Sequence, residues 1–454
     1  MSRLVVASNR VAMPRETRAG GLAAAMRAAL KEHGGLWFGW SGKRVPAEQR
    51  NLRRELAGAI DYALLDLTRD EYEAYYLGFA NRTLWPLLHF QPTLMDYSRA
   101  QYDGYRAVNR MFAERLAPLL REDDRIWVHD YHLIPLASEL RARGIGARIG
   151  FFLHIPLPPP AMLVNLPCHA DLLATFADYD LVGVQSEQDA RALLDYFGER
   201  GDNIAVDDDG FTVREHRTRV APFPISIDTA EVARQSAAAV GNATNKRFFA
   251  SLQGRKLAIG VDRLDYSKGI PRRFKAFGRF IDEHHEWRSH VSYLQIAPPS
   301  REEVPEYREL RTRLERIAGA TNGRYAEPDW VPIRYVNRSF AQATLAGFYR
   351  IAQLGLVTPL KDGMNLVAKE FIAAQPPDDP GALVLSCFAG AANELQQAII
   401  VNPYDPEALV EGIEQGLTMP REEKRERWMA MFEYLSQYDI AAWRRNFLEA
   451  LGGG

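Results

Sequence analysis

Residues 357–374 read VTPLKDGMNLVAKEFIAA, and this stretch decides the fold class. The apolar run Leu354–Val357 leading into it is continuous, which suits a strand buried on both faces of a parallel sheet. It ends near Thr358, and Lys361 to Gly363 form a turn into a helical pattern. Gly363 permits close backbone approach, and the amides of Met364, Asn365, Leu366 and Val367 are the open donors of a helix start, where an anion is stabilised. Glu370 stands one turn beyond Leu366 on the same face and can accept from vicinal hydroxyls; Asp362 in the turn can do the same for a sugar. An Asp-Gly turn opening an ordinary helix carries the same letters, so the stretch takes its meaning from what surrounds it.

The same order of strand, turn and helix recurs along the chain. Apolar runs at Leu4–Ala7, Ile126–His129, Ile149–Leu153, Leu181–Val184, Leu257–Val261, Leu383–Leu385 and Ile399–Val401 alternate with helical patterns such as LIPLASELRARG and QDARALLDYFGER. Alternation of this kind predicts doubly wound α/β sheets. A small, polar stretch after PFPISID separates two strand series. The expected division is a Rossmann-like domain over 1–228, a second over 229–439, and a terminal helix over 440–454 that packs back on the first. Two such domains facing each other across a cleft would bring the carboxyl ends of both sheets together, where ligands of open α/β sheets bind.

Composition sets the outer limits. The 454 residues are 47% apolar and 25% charged, a globular balance that excludes a largely disordered chain. With 56 Lys and Arg against 58 Asp and Glu, no global field draws in nucleic acid or an anionic membrane. Two cysteines, Cys168 and Cys387, build neither a disulfide framework nor a multi-cysteine zinc site. No apolar stretch approaches the ~18 residues of a membrane span, and the start MSRLVVASNRV lacks a secretory pattern, so a cytoplasmic location is expected.

Four further segments carry chemistry-bearing residues to predicted strand ends. In AIGVDRLDYSKGI, Arg263 and Lys268 beside a helix start can neutralise a diphosphate, although a solvated basic loop with an Asp265–Lys268 surface pair is the plainer reading of those letters alone. In the first segment of the chain, Arg10 follows the opening strand and Gly20 and Gly21 precede an Ala-rich helix. IWVHDYHLIP and GFFLHIPLPPP deliver His129, Asp130 and His132 to one strand end and His154 to another. His129 and His132 straddle Asp130 in a way zinc accepts, but hydrogen-bonded structure is the commoner use, and Asp130 as a hydroxyl acceptor is preferred. Tyr76 and Trp85, in a stretch read as loop-rich, offer faces on which a sugar can stack. The acidic NIAVDDDGFTV resembles a phosphatase start, but Phe211 follows the glycine and the alternation around it predicts a hairpin turning at Asp209-Gly210.

Taken together the ordered motifs MSRLVVASNR, GGLWFGWSG, LWPLLH, WVHDYHL, GFFLHIP, RLDYSKG, QIAPPSR, TPLKDGMNLVAKE and SCFAGAANEL resemble those of the trehalose-6-phosphate synthase family, retaining glycosyltransferases of two-Rossmann (GT-B) architecture. The resemblance runs over essentially the whole chain. With no phosphatase domain after Gly454, it implies a stand-alone synthase that moves glucose from UDP-glucose to glucose 6-phosphate, giving α,α-trehalose 6-phosphate and UDP. It further implies that Arg263 and Lys268 bind the donor diphosphate, that Gly20 and Gly21 approach both substrates, and that Leu366 and Val367 donate backbone NH groups to the phosphates. Glu370 would hold the ribose, the backbone at Phe340 the uracil, and Asp362 with Gly363, Met364 and Asn365 the donor glucose. Arg10, Tyr76 and Arg301 would bind the 6-phosphate, Trp85 and Asp130 the acceptor ring, and His154 would sit beside the anomeric centre. No cofactor or metal, no nucleic acid and no membrane is expected, and a homo-oligomer is. Glycerol 3-phosphate as acceptor, or a non-catalytic sugar-phosphate sensor, are the competing readings.

No sheet-end carboxylate is clearly placed as the nucleophile of a two-step retaining path. Front-face substitution, in which the leaving phosphate takes the acceptor's proton, needs strong neutralisation of the departing diphosphate instead. Arg263, Lys268 and a helix start can supply that without a metal.

Overall fold

In the computed structural model of the protein, residues 2–13, 21–200, 203–301 and 303–452 are described. They divide into two units, Met1–Pro224 with Trp443–Gly454, and Ile225–Ala442.

The first unit is built on a ten-stranded sheet. Its spatial order is Leu52–Ala57, Ile60–Leu67, Gly35–Arg44, Leu4–Arg10, Arg125–His129, Arg148–Phe152, Leu181–Val184, His216–Pro222, Gly210–Val213 and Ile204–Asp207. The strands from Ile60–Leu67 to His216–Pro222 run parallel, and antiparallel partners close both edges. The central strands are buried except at end residues such as Arg10, Arg125 and Arg148, as continuous apolar runs require. The edge strand Leu52–Ala57 is instead studded with exposed charge, which discourages pairing with another chain. Strand order reverses between Leu4–Arg10 and Arg125–His129, and the carboxyl ends at such a reversal are where open α/β sheets bind ligands.

The acidic segment forms the expected hairpin, with one correction. Asp207 pairs with Gly210, so the two turn residues are Asp208 and Asp209 rather than Asp209 and Gly210. Arg217 bonds both Asp207 and Asp209, and Arg219 lies 3.3 Å from Asp209. These carboxylates are occupied by strand neighbours, which removes the phosphatase reading.

Helix Ile440–Gly452 carries the chain back into the first unit from Trp443 onward. Its Phe447 ring stacks on Trp127 at 4.5 Å between centroids, above Gly150, where any Cβ would come within 3.0 Å of that ring. The Trp443 indole donates to the Phe223 carbonyl at 3.0 Å.

The second unit holds a six-stranded, all-parallel sheet in the order Ile333–Val336, Val291–Ile296, Lys256–Val261, Leu354–Val357, Ala382–Ser386 and Ile399–Val401. Here the order reverses between Lys256–Val261 and Leu354–Val357, the strands that precede RLDYSKG and TPLKDG. Beneath their ends lies a buried charged knot. Arg273, 1% exposed, donates to Asp262 at 2.8 Å, to Thr358 at 3.1 Å, and to the carbonyls of Leu356 and Lys268 at 2.8 and 2.9 Å. An ion pair this deep is costly to desolvate and gains its worth from geometry: it fixes the two strand ends to each other.

Candidate functional site

In the second unit the chain leaves strand Lys256–Val261 through Asp262 and Arg263, makes one 3-10 turn at Tyr266–Lys268, and enters helix Ile270–Glu283 at Gly269. Gly269 has φ 67°, and a Cβ there would meet the Thr358 carbonyl at 2.4 Å, so only glycine lets the two loops touch. Leu360 N donates to the Ser267 carbonyl at 2.7 Å, completing the seam. Across it the Lys268 ammonium pairs with Asp362. The expected Asp265–Lys268 surface pair does not form. Asp265 is fully buried and accepts from Arg301 at 3.1 Å, Tyr307 at 3.0 Å and the amide of Ser267 at 2.9 Å. Arg263 stands exposed just beyond the strand.

Asp362 is held in its turn. Its second contact is Asn365 Nδ2 at 3.0 Å, and Asn365 in turn caps helix Leu366–Ala374 by accepting from Ala368 N at 3.4 Å. Gly363 and Met364 pass beneath Gly390, where a Cβ would come within 1.9 Å of the Gly363 carbonyl. The helix start leaves the amides of Leu366 and Val367 without intrahelical acceptors. One turn on, the Glu370 carboxyl faces the Tyr349 hydroxyl at 3.5 Å, and burial pushes it up to about 7. The half-buried Phe340 ring packs edge-on against Phe348 and lies under the Arg338 guanidinium.

In the first unit Arg10 ends its strand exposed to solvent. Gly21 opens helix Gly21–His33, whereas Gly20 lies outside the described residues. Tyr76 and Trp85 correct the expectation of a loop-rich region: both are helical. A three-residue helix at Arg69–Glu71 passes into a π-helical run over Tyr72–Leu84 and then into Trp85–Leu88. The π geometry inserts an extra residue per turn, a distortion frequent at functional sites. Asn81 holds it, donating to the Tyr76 carbonyl at 2.7 Å and accepting from Tyr131 at 2.9 Å. Tyr76 stacks on His132 and Tyr72, with centroids at 5.7 and 5.3 Å, and buried Trp85 packs on His89 and Tyr131.

Asp130 adopts φ 75° and ψ 164°, a region that side chains rarely enter. Such strain costs ~1–3 kcal/mol and is retained where it aims a side chain. Its carboxylate accepts from His154 N at 3.3 Å, and its own amide donates to the Phe152 carbonyl at 2.8 Å. His132 turns to Tyr76 while His129 faces His154, so the suggested His129/His132 metal pair is split. Among the described residues no group of three or more His, Cys, Asp or Glu side chains is placed to hold a metal. Asp130, Arg301 and Asn365 are all positive-φ residues, and the sequence points to all three on other grounds. The supporting residues give no sequence signal of their own: Asn81 holds Tyr76 and Tyr131, Tyr307 holds Arg301, Tyr349 faces Glu370, and Gly390 packs on Gly363.

The model of glycosyltransferase family 20 matches residues 3–452. A trehalose-6-phosphate synthase of Sinorhizobium fredii is 48% identical over 99% of this chain and 98% of its own length. An α,α-trehalose-phosphate synthase (UDP-forming) from Burkholderia xenovorans, solved in complex with glucose-6-phosphate, superposes with a TM-score of 0.96 at 44% identity over 100% of both chains. An E. coli trehalose-6-phosphate structure bound with UDP-2-fluoro glucose gives 0.95 at 43% identity over 99% of both.

Proposed function

We propose, from the premise that the chain belongs to glycosyltransferase family 20, that it transfers glucose from UDP-glucose to glucose 6-phosphate with retention of configuration, releasing UDP. The observation that carries this reading is the seam of the second unit. It sets Lys268, Asp362 and a capped helix start around one point at the sheet's switch point. A departing diphosphate placed there meets a fixed cation and backbone donors that need no rearrangement. Arg263, exposed beside them, adds the second positive charge.

Asp362 gives Lys268 a fixed direction and, with the backbone of Gly363, Met364 and Asn365, is assigned to the donor glucose. Glu370 is assigned to the ribose and the Phe340 backbone to the uracil. Arg10 and Tyr76 are assigned to the 6-phosphate, as is Arg301, and Trp85 and Asp130 to the acceptor ring. What supports a front-face route is that each candidate carboxylate already has a partner: Asp130 the His154 amide, Asp362 Lys268, and Glu370 the Tyr349 hydroxyl. The leaving phosphate then takes the acceptor's proton, and no metal is needed.

The test is UDP release from UDP-glucose with and without glucose 6-phosphate, with the product identified by mass. Release only in the presence of glucose 6-phosphate, with a disaccharide phosphate formed, is expected. Turnover with glycerol 3-phosphate instead, or no release with any acceptor, contradicts the proposal.

Glu370 provides a pH signature. Burial favours its neutral form, with a pKa near 7, whereas ribose hydroxyls donate to the charged form. Donor binding therefore strengthens as the carboxyl ionises. UDP-glucose is expected to bind about tenfold more weakly at about pH 6 than at about pH 8, following the ionised fraction. Titration calorimetry checks this; Glu370→Gln should abolish the slope, and a flat wild-type profile would contradict the role.

A further inference from the structure

His129 meets His154 ring to ring: its Nδ1 lies 3.0 Å from His154 Nε2. His129 is 1% exposed, and its other nitrogen, Nε2, is buried with no partner. We propose that His129 is a positioning residue that holds His154 in the tautomer protonated on Nδ1, so that a neutral N–H is the donor His154 offers to a sugar oxygen. The inference rests on the glucosyl-transfer reading for its substrate, but not for its geometry.

Two arrangements satisfy the pair. If His154 Nε2 carries the proton, His129 must accept on Nδ1 and carry its own proton on Nε2. That strands a buried N–H with no hydrogen-bond partner on a ring packed near those of Trp127 and Phe152, 4.6 and 6.5 Å away between centroids. If His129 Nδ1 carries the proton, it donates to His154 Nε2, and only a lone pair is stranded at His129 Nε2. Orphaned buried N–H groups are rarer in folded proteins than under-satisfied acceptors, which selects the second arrangement. Both rings stay neutral because burial lowers both, His154 to about 3.

The surroundings fix the orientation as well as the tautomer. The His154 amide is tied to Asp130 at 3.3 Å, and its carbonyl accepts from Gln185 at 3.3 Å. Phe152 and Trp443 flank the ring, with centroids at 4.6 and 6.3 Å. With Nε2 committed to His129, Nδ1 is the ring nitrogen left for a ligand. A histidine whose far nitrogen is fixed by a second residue is the usual way an imidazole is given one role instead of two.

Long-range proton–nitrogen NMR on the full-length, [15N]histidine-labelled protein reads the tautomers directly, with signals assigned by His129→Leu and His154→Gln. The expected result is a protonated Nδ1 and a bare Nε2 on His154. A protonated His154 Nε2 overturns the proposal. In kinetics, His129→Leu should lower kcat at least about tenfold, the size met when the partner orienting a working histidine is lost. KM for both substrates should stay within about threefold. His129→Asn, whose amide can donate from about the position of Nδ1, should restore the Nδ1-protonated signal and exceed His129→Leu in kcat by about threefold or more. Equal kcat for the two variants overturns the proposal. If His129→Leu fails to fold, the wild-type spectrum and His129→Asn still decide. The spectra need no turnover, so a wrong substrate assignment leaves them intact, and a wrong tautomer leaves glucosyl transfer intact.

Discussion

Lys268→Ala is expected to lower kcat/KM by on the order of 10² or more, the size seen when one preorganised partner of transition-state charge is removed. The reasoning is electrostatic. Charge builds on the diphosphate as the glycosidic bond breaks, so a cation held at that point stabilises the transition state more than the bound donor. The ammonium is held in advance by Asp362, and its loop is pinned by Gly269 against the Thr358 carbonyl and by Arg273 on the Lys268 carbonyl. Most of the loss should therefore appear in kcat. Arg263→Ala is expected to behave alike, and Lys268→Arg should recover only part, since a planar fork does not reproduce a point charge against Asp362. Steady-state kinetics with both substrates varied measures this. Activity within tenfold of wild type for either alanine variant would contradict the diphosphate role.

The second large effect is expected at Arg301, on the acceptor. Arg301→Ala should raise KM for glucose 6-phosphate at least about tenfold and leave KM for UDP-glucose within about threefold, because a guanidinium facing a phosphate forms paired charge-assisted hydrogen bonds. The structure adds a second consequence. Arg301 also neutralises Asp265, which is fully buried, and removing one partner of a buried pair costs ~3–5 kcal/mol of stability. Tyr307 and the Ser267 amide remain on Asp265 and reduce that cost. Arg301→Lys separates the two roles: it keeps a charge near Asp265 but loses the fork, so its melting temperature should stay close to wild type while acceptor KM rises. An equal rise in KM for both substrates in Arg301→Lys would contradict the assignment.

How much of this was legible in the sequence differs by residue. The parallel strands were, because burial on both faces forces apolar runs such as Leu354–Val357 and Ile149–Phe152, and these lie in strands. Gly35–Arg44 carries glycine, lysine and arginine, and Leu52–Ala57 carries three consecutive charged residues at an edge; neither has that signature, and both are strands. The turn at Lys361–Gly363 and the helix behind it were legible because Gly363 and Asn365 are turn and cap residues. That Lys268 would choose Asp362 over Asp265 was not. The choice depends on Tyr307 and Arg301 claiming Asp265 from 42 and 36 residues away in the chain. The π-helical run around Tyr76 was equally hidden, since it is held by Asn81 reaching Tyr131, a contact no local pattern encodes. Strain at Asp130 likewise follows from the pairing of its strand end with Phe152.

In the proposed reaction, fixed side-chain cations and a helix start carry the departing diphosphate without a metal or a covalent glucosyl-enzyme. The most direct measurement is carbon NMR of the product formed from UDP-glucose labelled at C1 and glucose 6-phosphate in excess EDTA, with the intact protein weighed by mass spectrometry during turnover. An α,α-linked product at an undiminished rate and a protein of unchanged mass are expected. A rate that collapses until a divalent cation is restored, a β-configured carbon at the labelled position, or a protein heavier by one glucosyl group would contradict it.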